Sequence, residues 1–84
     1  MNHFVVDGVV RLVRVMESKR GNWHLLIIET PDGEEVGIPC LASPPRVGDD
    51  IRAEGHLSSN QTHLRLIVEN MEVFNEARQL GVYP

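Results

Sequence analysis

The stretch that most constrains this chain is residues 47–58, where a turn, an alternating strand and a glycine break follow one another. Gly48 and Asp49 supply turn chemistry: a backbone free to take positive φ, then a side chain that bonds main chain. From Ile51 onward Ile51, Ala53, Gly55 and Leu57 share one face, while Arg52, Glu54 and His56 share the other. That is the period of a half-buried strand. Gly55 has no side chain to pack, so inside the strand it predicts a sharp bend or a close backbone approach, as at the corner of a small barrel.

Other strands are legible around this one. Residues 3–16 are β-rich, but Phe4, Val6, Val10 and Leu12 share a parity that Val13 and Val15 do not. A bulge or bend near Gly8 or Arg11 reconciles the two halves. Residues 17–22 are polar and end in Gly21-Asn22, which predicts an exposed loop. Residues 23–30 form a second strand, apolar on both faces. Pro31-Asp32-Gly33 is a tight-turn signature, so strands two and three make a hairpin. Strand three, residues 35–41, carries Pro39, which cannot donate to a ladder and so marks an edge or an unpaired end. Pro44-Pro45 excludes a helix between strands three and four. After a polar turn at 58–61, residues 62–74 form a fifth strand, and a second bulge is expected where the parity of Leu64, Leu66 and Val68 gives way to that of Met71 and Val73. An Asn75 cap, a first-turn carboxylate at Glu76 and a stop at Gly81 predict a short helix over 75–81.

With 84 residues the chain is one domain, near the low end for a self-sufficient core, which favours oligomerisation. Asp7, Arg11 and Arg14 interrupt the first apolar run, so neither a membrane span nor a signal peptide is expected, and the chain is read as cytoplasmic. The lone cysteine, Cys40, has no partner for an internal disulfide and reads as a small core residue. The net charge of -4 argues against a strongly basic nucleic-acid binder. The charges are unevenly spread, however. Acidic residues gather at turns and after Val68, whereas Arg11, Arg14, Lys19, Arg20, Arg52 and Arg65 lie on strands or in the first long loop. A basic face on an acidic protein is compatible with that pattern.

Five strands, a bent first strand, a two-three hairpin and a Gly-Asp-led fourth strand with an internal glycine resemble an OB-fold, the all-β, five-stranded Greek-key barrel. Within that fold the chain is similar to the bacterial single-stranded-DNA-binding proteins, and most to the primosomal replication protein N family. Residues 4–10, 47–58 and 64–74 carry the likeness, above all Val68-Glu69-Asn70-Met71-Glu72-Val73. It covers most of the chain and implies a barrel over residues 1–74 followed by a short helix or tail at 75–84. It also implies binding of single-stranded DNA, with RNA as the alternative, in replication or replication restart, and replication proteins as further partners. Two features depart from the family. Only Phe4, Trp23, Phe74 and Tyr83 are aromatic, and the sequence ends at Val82-Tyr83-Pro84 without an acidic tail, so hub-type recruitment is not expected.

OB-folds commonly bind through the strand two-three face and the one-two and four-five loops. Lys19 and Arg20 run into Trp23, cations beside a ring, which suits phosphate contact with base stacking. The alternative is a solvated loop with Trp23 over the core. Arg52, His56, His63 and Arg65 fall on the non-core parity of strands four and five, where they form either a cationic patch or cross-strand pairs with Glu54 and Glu69. Four histidines and one cysteine lack metal-ligand spacing, and Ser58, Ser59 and His63 lack a nucleophile motif, so no metal, cofactor or enzyme activity is expected. On strand two, Leu25 and Ile27 oppose Leu26 and Ile28, and a barrel interior accepts only one pair. Leu25 and Ile27 are thus the expected homodimer contact, unless Ala77 and Leu80 cover them. A rival reading of the whole chain is an OB-fold protein-interaction module whose acidic surface binds no nucleic acid.

Overall fold

The computed structural model describes residues 3–59 and 64–74. They form one antiparallel five-stranded sheet of β1 (His3–Ser18), β2 (Gly21–Glu29), β3 (Glu35–Cys40), β4 (Asp50–Ser59) and β5 (Leu64–Phe74). The spatial order is β3-β2-β1-β4-β5. None of the described residues forms a helix, including those joining β3 to β4, where Pro45 is buried. The expected helix at 75–81 lies outside the described residues.

β1 is long enough to serve two neighbours. Its first half pairs with β4, from His3↔His56 to Val9↔Asp50, and its second half with β2, from Val9↔Glu29 to Ser18↔Gly21. Val9 therefore belongs to both ladders. The register slips between Val10 and Leu12, which makes Arg11 the bulged residue of the two sites considered from the sequence. An extra residue bends its strand and increases the local twist. The loop before β4 is tied to the same place. Gly48 takes φ of 96°, its N–H donates to the Val10 carbonyl at 2.8 Å, and the Val10 N–H donates to the Asp49 carbonyl at 2.9 Å.

Cross-strand parity decides which residues are inside. Val10, Leu26, Ile28, Ile38, Ile51 and Ala53 are buried together with Cys40, and Val6, Val13, Val36, Val68 and Met71 pack against them. The assignment of Leu26 and Ile28 to the interior holds, both being 0% exposed. Among the residues whose burial is described, none of the fully enclosed ones comes from β5, and Val68 and Met71 of that strand pack against the core.

Two expectations are corrected. The 17–22 loop is a two-residue turn, because β1 runs through Ser18 and β2 begins at Gly21. The sheet is open instead of closing as a barrel: β3 and β5 are its edges, with Cα atoms within 8 Å of each other but no ladder between them. Pro39 is thus on an edge strand, and Pro31-Asp32-Gly33 closes the β2–β3 hairpin through a Gly33 N–H bond to the Thr30 carbonyl at 2.9 Å.

Gly55 is where backbone must come closest. On β5 the register skips Glu69 between Asn70↔Glu54 and Val68↔Gly55, and a Cβ at Gly55 would overlap the Ile67 carbonyl. Gly37 differs, since a Cβ there would meet only Leu25 Cδ1 at 3.5 Å and Ile27 Cδ1 at 3.9 Å. Gly55→Ala is expected to destabilise the fold by about 1–3 kcal/mol or more. Gly37→Ala is expected to be neutral or to stabilise by about 0.5–1 kcal/mol. Urea unfolding midpoints of the two variants check this; equal shifts would contradict the close approach at Gly55.

Candidate nucleic-acid interface

The β1–β2 turn presents two cations on a short, braced support. Ser18 Oγ donates to the Gly21 carbonyl at 2.6 Å and accepts the Arg20 N–H at 3.3 Å, while Gly21 takes φ of 121°. Lys19 and Arg20 occupy the tip. Two residues beyond the turn, Trp23 pairs with Met16 and shares a strand face with Leu25 and Ile27, opposite to buried Leu26 and Ile28. Trp23 is half-buried, which leaves part of its ring reachable.

The gap between β3 and β5 opens this face into a cleft of about 1370 Å³. Lys19, Arg20, Trp23, Leu25, Pro39 and Arg65 all line it, and β5 contributes to the wall as far as Val73. Four of the seven residues anticipated for nucleic-acid contact are therefore brought together. The described lining holds three cations, Lys19, Arg20 and Arg65, against one carboxylate, Glu69. None of the three cations forms an ion pair with a described residue. On a chain of net charge -4 this is a local excess of positive charge next to an aromatic ring.

Arg52 and His56 are placed elsewhere. On the outer face of β4, Arg52 Nε donates to Asp7 Oδ1 at 2.7 Å and its Nη2 to Asp7 Oδ2 at 3.4 Å. The Asp7 hydrogen bond, then the Asp7 charge, raises the Arg52 pKa above its ordinary value, and Glu72 and Glu54 add to the effect against desolvation. Arg52 is thus a paired residue, and its main partner is Asp7 on β1, outside the expected cross-strand pairing of strands four and five with Glu54 and Glu69. His56 Nδ1 lies 2.9 Å from Glu69 Oε1, which is the anticipated cross-strand pair. Neither Arg52 nor His56 lines the cleft. His63 lies outside the described residues.

The two residues expected at a dimer contact separate. Leu25 lines the cleft, whereas Ile27 does not and is paired with Leu12, which is 42% exposed. Cys40 is buried as expected, with Sγ 3.5 Å from the Ala42 carbonyl and 3.9 Å from that of Ser43. Among the described residues no three His, Cys, Asp or Glu side chains gather as a metal site. A second hollow of about 310 Å³ is lined by Asp7, Glu29 and Asp50 among others, a set of charges adverse to phosphate.

Sequence reasoning missed the share of the cleft contributed by β5, notably Glu69, Asn70 and Met71. The parity break at 68–71 was visible, but the wall it builds depends on where the far edge of the sheet comes to lie. The chain matches no protein-family model, no curated protein and no solved structure.

If cations of the cleft contact phosphates, each should add to the salt dependence of oligonucleotide binding. Arg65→Gln is expected to reduce the slope of log K against log salt by about 0.7, and Arg52→Gln to leave it unchanged. Fluorescence titrations across a salt series check both.

Proposed function

We propose that the chain is an OB-fold that binds single-stranded DNA in the cleft, without catalysis, as a component of DNA replication or replication restart. The observation that carries this is the convergence of Lys19, Arg20, Arg65 and Trp23 on one open cleft of an otherwise acidic chain. The fold assignment is supported by β1 pairing with both β2 and β4, by the bulge at Arg11, and by edge strands β3 and β5 facing each other across a narrow gap.

A single strand offers what such a cleft can bind. Its unpaired bases have free π-faces for Trp23 and apolar edges for Leu25 and Pro39. Its phosphates meet Lys19 and Arg20 at the turn and Arg65 on the opposite strand. In a duplex those base faces are already stacked, so the Trp23 contact is lost. Stacking and phosphate contact are together the usual basis of sequence-tolerant single-strand binding. RNA presents the same two features.

Three phosphate contacts correspond to a slope of about -2 in log K against log salt for a single strand. Trp23→Ala is expected to weaken binding by roughly 1–3 kcal/mol with the fold intact, and Trp23 fluorescence to be quenched by oligonucleotide. Absence of binding to dT-rich oligonucleotides at low salt, with recovery of a stoichiometric protein partner, would instead favour the protein-interaction module.

We also propose a homodimer across the outer face of the β1–β2 ladder. Its support is a small core and the apolar pair Leu12 and Ile27, which Gly37 leaves uncovered on the β3 side. A twofold contact there would bury the pair and align two clefts. Sedimentation at micromolar concentration is expected to show a dimer that Ile27→Glu dissociates without unfolding; a strictly monomeric wild type rejects it.

A further inference from the structure

We propose that a bound single strand continues out of the cleft across β2 onto the outer face of β1, where Arg14 holds a further phosphate. This rests on the nucleic-acid reading above and adds to it a residue and a direction. Direct partners in an antiparallel ladder project from the same face of the sheet. Arg14 is the partner of Leu25, and Met16 that of Trp23. Leu25 and Trp23 line the cleft, so Arg14 stands one strand beyond them on the same side of the sheet. Trp23 is its diagonal neighbour, a separation of roughly 7–8 Å that a long side chain bridges.

β1 carries two arginines beyond Val10, and their surroundings differ. Arg11 is matched: its Nε lies 3.3 Å from Glu29 Oε1 and its Nη2 3.4 Å from Glu29 Oε2. Arg14 is exposed and forms no ion pair with a described residue. The register accounts for the contrast. On the face that Arg14 shares, β1 places Leu12 and Met16, β2 places Trp23, Leu25 and Ile27, and β3 places Gly37 and Pro39, none of which carries a charge. The first carboxylate along that face of β2 is Glu29, which Arg11 already holds. A guanidinium left unmatched among apolar side chains suits a phosphate, which it can bind through two parallel N–H bonds. Its apolar neighbours suit the attached base. In strand order Trp23 of β2 then lies between Arg65 of β5, across the gap, and Arg14 of β1. The bound strand thus crosses the sheet, with phosphates held on either side of the stacked base.

Fluorescence titration across a salt series reads the extra contact, because each phosphate contact adds about 0.7 to the slope of log K against log salt for a single strand. The probe is a dT oligonucleotide of about 16 nucleotides, the upper end of the site size of one OB-fold. With Arg14 as a fourth contact the wild-type slope is expected at about -3, and that of Arg14→Gln at about -2. Arg14→Lys keeps the charge and is expected to keep the wild-type slope, as is Arg11→Gln, whose cation is matched within the chain. Circular-dichroism melting and sedimentation identical to those of wild type show that Arg14→Gln is folded and assembled as before; a changed sedimentation would assign its effect to assembly and overturn the proposal. A wild-type slope in Arg14→Gln overturns it too and leaves the cleft reading standing, whereas an equal loss in Arg11→Gln overturns it as an effect of net charge alone. Failure of the wild-type protein to bind the oligonucleotide at low salt would overturn the nucleic-acid reading itself, and the path across β1 with it.

Discussion

The structure depends on β1 being shared. A strand that pairs with β4 over its first half and β2 over its second joins two hairpin-like halves through one continuous backbone, and Val9 takes part in both ladders. Such a handover requires a change of direction, which the Arg11 bulge supplies. The backbone bonds from the Gly48-Asp49 turn to Val10 then fix where β4 starts relative to that bend. The twist so produced brings the far edges, β3 and β5, within reach of each other. The cleft is the space left between edges that approach without bonding.

The charges are sorted by the same geometry. Arg52 finds Asp7 across the β1–β4 ladder, and Arg11 Nε reaches Glu29 Oε1 at 3.3 Å from the bulge. These exposed pairs contribute little to stability, but they remove two cations from the pool available to an anionic ligand. Lys19 and Arg20 form no ion pair with a described residue, sitting at a two-residue turn beyond the end of the ladder. Arg65 lies opposite Ser58, which carries no charge to pair with it. A net charge of -4 says little about the cleft, whose described lining holds three cations against one carboxylate.

Much of this was legible in local pattern, and the exceptions share a cause. Alternation around Ile51 and Ala53 identified the inner face of β4, Pro39 identified an edge, Gly55 identified a close approach, and both parity breaks identified bulges. Each of those signals is written within a few residues. The pairing of Arg52 with Asp7 depends on register between residues 45 apart in sequence, which no local pattern encodes. The same holds for the open gap, which depends on accumulated twist over four ladders. The short turn at Lys19-Arg20 was hidden differently: Glu17, Ser18, Gly21 and Asn22 are polar because their strand ends are exposed, and exposed strand ends look like loop.

An open gap also links stability to ligand occupancy. Among the described residues the fully enclosed side chains come from β1 to β4, and β5 adds the partial cover of Val68 and Met71. The two edges of the sheet are therefore held in position by strands that meet elsewhere, and no backbone bond joins them. A strand of nucleic acid that stacked on Trp23 of β2 and held a phosphate against Arg65 of β5 would span that gap. It would have no equivalent site on the unfolded chain, where those residues are not assembled. Binding of this kind stabilises the native state by mass action, about 2.7 kcal/mol at a hundredfold excess over Kd. For a domain of 84 residues with so small a core, that is a large fraction of the stability to be expected. In this arrangement the open gap between β3 and β5 is what makes the cleft, and a strand bound there would supply part of the closure that the two backbones leave out.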